Sequence, residues 1–142
     1  MRLVLALLLL AAPARAWEFT PVPICTLTHE TGAAAVRVTH DPRIPEYAIT
    51  LTLAEGAWPD APIFAIRFDG ARGLTISTTR HALSGGGAAL TVTDRGFGNV
   101  LDGLQYNDTA TALLGDRALP VPLDGAAGPV AEFRACTEGL AA

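Results

Sequence analysis

Three histidines, His29, His40 and His81, are the side chains best equipped for chemistry, and two stand beside an acid, as His29-Glu30 and His40-Asp41. Metal ligands must converge in space, and the chain has neither an HExxH pattern nor paired Cys/His spacing. These residues read as surface-loop histidines, and no metal or cofactor is expected. A nucleophilic hydrolase needs a Ser or Cys activated by a base. The only serines are Ser77 and Ser84, and no GxSxG elbow holds either of them. Ser84 with His81, oriented by Asp94, is the one triad these residues permit, and nothing in the spacing fixes its geometry. Ser84-Gly85-Gly86-Gly87 lacks the Lys-Ser/Thr and the following helix of a phosphate cradle, so it reads as a hairpin turn. Asn107-Asp108-Thr109 is formally a glycosylation sequon and reads as a chance match. No catalytic residue is assigned, and a non-enzymatic role is expected.

The aromatics outside the strands carry more weight. Trp58, Phe97 and Tyr106 fall in predicted loops or at element ends, with Arg72, Arg80 and Arg95 in the neighbouring turns. A large ring in a loop either caps an open end of a core or meets a partner. In the second use the arginines supply polar contacts beside the rings. Trp58, Phe97, Tyr106, Arg80 and Arg95 are therefore the candidate binding residues.

Positioning falls to a set of short strands. Ile63 to Gly70, Leu74 to Thr78 and Leu90 to Thr93 alternate apolar and polar residues, the period a half-buried strand requires. Asp69-Gly70, Gly73 and Ser84 to Gly87 separate them, so they read as a central antiparallel meander. Tyr47, Ile49, Leu51 and Leu53 share one face of the clearest strand, and Ala35 to Thr39 forms another. Trp17 to Pro23 carries two prolines and suits an extended edge. Ile24 to Leu27 continues as a first strand, and Glu55 to Pro62 is a turn-rich loop. Gly115-Asp116 joins Thr109–Leu114 to Arg117–Leu123 as a hairpin, with Pro120 and Pro122 placing the second run at a sheet edge. Asn99 is the expected cap of a short helix through Val100, Leu101 and Leu104. Asp124 is the expected cap of a last helix, 126–136, with Pro129 in its first turn and Val130, Phe133 and Cys136 on one face. The fold expected is a mainly β, antiparallel β-sandwich with one or two short helices in the C-terminal third.

The chain has 142 residues, enough for one domain. Met1-Arg2, the apolar run Leu3 to Ala12 and Ala14-Arg15-Ala16 read as a secretory leader cut after Ala16, leaving one β-rich domain, 17–142. The apolar run is too short for a permanent anchor, and no other stretch is apolar enough for a membrane span. The sequence has 10 basic residues, all Arg, against 14 acidic ones. Loss of Arg2 and Arg15 with the leader leaves 8 against 14, a net of −6. Such a surface repels phosphate backbones, so no nucleic-acid partner is expected. The destination is the periplasm or the medium. There, Cys25 and Cys136 are expected to pair rather than remain two free buried thiols.

The run Val100-Leu101-Asp102-Gly103-Leu104, Thr109 to Asp116, Leu123-Asp124-Gly125 and Phe133 to Cys136 is loosely similar to the invasion-associated locus B family of periplasmic β proteins. The whole chain resembles short, uncharacterised secreted proteins of Rhodobacter-type alphaproteobacteria, which sometimes carry the label of an ABC excinuclease component. The residues argue against that activity, because there is no GxxxxGK[ST] motif and no basic groove for DNA. The resemblance implies an exported periplasmic β protein. The function expected is a non-catalytic exported domain that binds a periplasmic protein or an envelope component. A small inhibitor of an exported hydrolase, presenting a loop such as Glu55 to Pro62, and an enzyme with a loop-built site are the alternatives.

Overall fold

The computed structural model describes residues 16–139. The leader reading lies, apart from Ala16, outside the described residues. Ten strands and two helices follow one another as β1 (Glu18–Thr20), β2 (Cys25–Glu30), β3 (Ala34–Asp41), β4 (Glu46–Leu53), β5 (Phe64–Gly70), β6 (Leu74–Thr78), β7 (Ala82–Ser84), β8 (Ala89–Asp94), α1 (Gly98–Tyr106), β9 (Asn107–Leu114), β10 (Arg117–Pro122) and α2 (Ala127–Thr137). They form two antiparallel sheets, ordered β1-β2-β3-β4-β8-β7 and β10-β9-β5-β6. The fold is a β-sandwich.

Alternation decides which residues line the interior. Val36 lies opposite Leu51 and Val38 opposite Ile49, and all four are buried. Phe64, Ile66 and Phe68 of β5 supply the facing layer with Ala110, Ala112 and Leu114 of β9. Val36, Ile49 and Leu51 of one sheet and Ile66, Ala110, Ala112 and Val121 of the other line a void of only about 20 Å³, so the centre is closely filled.

The central meander requires correction. β5 and β6 do form a hairpin, with Ile66 opposite Ile76. The third run, β8, instead joins the other sheet, pairing with β4 and β7. After Thr78 the chain passes between the layers through Thr79–His81 and then reverses at Gly85, Gly86 and Gly87, which have φ of 61°, 71° and 89°. A period of two marks a strand without saying which sheet receives it.

The helix starts differ as well. Phe97, not Asn99, precedes α1, and Ala126, not Asp124, precedes α2; neither end has a side-chain cap. Pro129 lies in the first turn of α2 as expected, and Val130 and Phe133 are fully buried. α2 packs on β1, β2 and α1. Arg134 fastens the two helices by donating to Asp102 and to Gln105, each at 2.7 Å. Cys136 on α2 is bonded to Cys25 on β2, with Cα atoms 6.0 Å apart and a sequence separation of 111. Closing a loop of that length stabilises the fold by about 4–5 kcal/mol in the chain-entropy treatment.

Candidate binding cleft

One open feature of the sandwich is a window in one flank; a shallower depression of about 630 Å³ lies beside His29, Thr31 and Pro122. β7 pairs with β8 only from Ala89 to Thr91, so Val92, Thr93 and Asp94 have a strand neighbour on the β4 side alone. Among the described residues β6 pairs only with β5. Between these two borders lies a cleft of about 460 Å³. Ile49, Ile66, Ile76, Val92, Phe97 and Val100 give it apolar walls. Ser77, Thr78 and Asn99 contribute polar atoms, and Arg80 and Asp94 complete the lining. The volume lies within the range of sites that enclose small ligands or anchor side chains.

Arg80 and Asp94 meet at 3.0 Å with their side chains largely in water, 71% and 45% exposed. An ion pair so exposed contributes little to stability. Its geometric effect is to tie the 79–81 crossover to the end of β8. The main-chain N–H of Arg95 donates to the other Asp94 oxygen at 2.7 Å. Arg95 is exposed and its side chain does not line the cleft.

The aromatic candidates separate. Trp58 is 3% exposed, and its indole N–H donates to the carbonyl of Leu51 at 3.1 Å. Its ring meets Phe64 edge-on at 6.4 Å. The partner-contact alternative is therefore corrected for Trp58: the ring plugs the core from a loop and presents no surface. Phe97 is also buried and stacks on Tyr47 at 5.4 Å, but its ring forms part of the cleft wall. Tyr106, 38% exposed, lies elsewhere and carries the Arg72 guanidinium 4.0 Å above its ring. Of the sequence candidates, the structure brings together Arg80 and Phe97. Trp58, Tyr106 and Arg95 lie outside the cleft.

The histidines perform structural tasks. His29 stacks on Trp17 at 4.6 Å, and burial lowers its pKa below 6.5, outweighing a bond to the Ala16 backbone that raises it. His29 lies in β2, and His40 in β3 is buried beside Tyr47, which corrects the surface-loop reading for both residues. His81 bonds through Nε2 to the carbonyl of Ala61 at 2.9 Å. Asp94 is engaged with Arg80 and Arg95, so the Ser84–His81–Asp94 arrangement is not assembled. Among the described residues no group of three or more His, Cys, Asp or Glu could hold a metal ion. Asn107 is buried, its Oδ1 accepting from the Arg72 N–H and its Nδ2 donating to the carbonyls of Arg72 and Gly103, all at 3.0 Å. The side chain that a sequon would offer for modification is thus a structural tie.

Sequence reasoning missed the cleft itself. Ile76 and Val92 were legible as inward-facing strand residues, but their exposure along one flank depends on where β7 stops. No helix of the described residues is long and apolar enough to cross a membrane. Comparison with known proteins finds no matching family model, no matching curated protein and no matching solved structure.

Proposed function

We propose that this chain is a non-catalytic, exported domain of the periplasm or medium that binds a protein or an envelope component through the cleft between β6 and β8. The observation that supports this reading is a cleft of about 460 Å³ opening between two strand borders, with apolar walls from Ile49, Ile66, Ile76 and Val92 and polar groups from Ser77, Thr78 and Asn99. The Cys25–Cys136 bond is consistent with an oxidising, extracytoplasmic location. Trp58, within the Glu55 to Pro62 loop of the inhibitor alternative, is buried and leaves that loop no exposed aromatic to present.

The test is capture from an envelope extract by immobilised protein, comparing wild type with Ile76→Arg and Val92→Arg. Both substitutions place a charge at the cleft, and circular dichroism verifies the fold of each. A partner retained by the wild type and lost by both folded variants supports the reading. Equal retention by all three would overturn it.

A further inference from the structure

The borders of a sheet carry alternate backbone N–H and C=O groups aimed away from the last ladder. Folded proteins blunt such borders with prolines, charges, short strands or covering elements. Three of the four borders here are blunted. β10 carries Pro120 and Pro122. β1 has three residues, is followed by Pro21 and Pro23, and is packed by α2. β7 has three residues and ends in the glycine turn.

β6 is the least protected, although α1 approaches it. Leu74-Thr75-Ile76-Ser77-Thr78 contains no proline and no charge. Its partner is β5, and among the described residues no other backbone hydrogen bond reaches 74–78. Leu74, Ile76 and Thr78 are the half-buried, inward positions, and Ile76 and Thr78 line the cleft. The unpaired border and the apolar cavity are therefore side by side, with their side-chain positions in step.

We propose, building on the cleft as the binding site, that its occupant is an extended segment of a partner protein that adds to β6 as a fifth strand and sends every second side chain, apolar in type, into the cavity. Backbone pairing then supplies affinity, and the cavity selects the alternate residues. A second folded copy does not satisfy this geometry. Its own β6 has Leu74 and Ile76 packed against its own core and cannot turn them into a neighbour's cleft. Only a strand without a layer of its own beneath it can do so.

The test uses displayed octapeptides selected on the wild-type protein and counter-selected on Ile76→Lys. The selected sequences are expected to be apolar at alternate positions. Each binder is then synthesised in two forms, N-methylated at the alternate amides of one edge or of the other. Methylation removes the N–H donors of one edge while keeping the side chains. The form methylated on the edge that meets β6 should lose about tenfold or more in affinity, and the other form should bind nearly as the parent does. Equal binding by both forms would overturn strand addition while leaving the cleft as a side-chain pocket. Absence of any peptide that distinguishes wild type from Ile76→Lys would overturn it too. If a non-peptide envelope component is instead retained by the wild type and lost by the cleft variants, the cleft stands as the binding site and its occupant is not a strand.

Discussion

Gly103 of α1 lies against the ring of Phe68 on β5 so closely that a Cβ at position 103 would stand 2.4 Å from the ring. Phe68 is 1% exposed, held within the core. A glycine lowers helix propensity, and here the loss is accepted because the helix could not otherwise settle on the sheet. Gly103→Ala should therefore destabilise the protein by about 1–3 kcal/mol despite its better propensity, through overpacking. Urea denaturation measures the difference; an unchanged or higher midpoint would contradict the packing described.

Asn107 ties the end of α1 to the 72–73 turn by three hydrogen bonds. Asn107→Ala leaves the Arg72 N–H and two carbonyls without that partner. The expected loss is about 2 kcal/mol or more, because buried polar groups stripped of their partners cost more than the bonds contributed. Thermal unfolding of the variant against wild type checks it.

The Cys25–Cys136 bond joins a strand near the start of the domain to its last helix. Replacing both cysteines with serine should lower stability by about 2–5 kcal/mol. Mass measurement of the wild type with and without reductant, after thiol alkylation, tests the bond. Two thiols free to alkylate without reductant would contradict it.

His29 makes stability depend on pH. Burial holds its folded pKa below the unfolded 6.5, so the unfolded chain binds its proton first as pH falls. Its contribution is fully present above 6.5 and is lost as pH falls from there through the folded value. Denaturation midpoints should drop between pH 7.5 and pH 5, and His29→Phe, which keeps a ring on Trp17, should flatten that slope.

Arg80→Ala separates the two roles of the cleft-side pair. The exposed pair with Asp94 should cost less than about 1 kcal/mol of stability when broken. Binding at the cleft should change by more, because the tie between the crossover and β8 is gone. Calorimetry with a peptide selected on the wild type compares the two effects.

Much of the sandwich was legible because strand patterning is local. Tyr47 to Leu53 announces its buried face in seven residues, and Pro120 with Pro122 announces a sheet border. The cysteine pair was legible because only two cysteines exist. The helix starts were not, since Asn99 and Asp124 are good capping types placed where tertiary packing did not use them. The transfer of β8 to the second sheet was hidden because Leu90 and Val92 alternate identically in either sheet. Trp58 misled as a surface candidate because its indole donor is satisfied by Leu51, seven positions earlier, a bond that no local pattern predicts. The cleft was hidden because it is set by β7 pairing no further than Thr91 and, among the described residues, by β6 pairing with β5 alone.

The chain's six isoleucines provide the most direct test of the cleft. Ile49, Ile66 and Ile76 line it, whereas Ile24, Ile44 and Ile63 do not, and Ile44 and Ile63 are strongly exposed. A methyl NMR titration of isoleucine-labelled protein with the partner retained in the capture experiment reads all six at once. Shifts are expected at Ile49, Ile66 and Ile76 with the other three unmoved; shifts confined to Ile44 or Ile63 would contradict binding at the cleft.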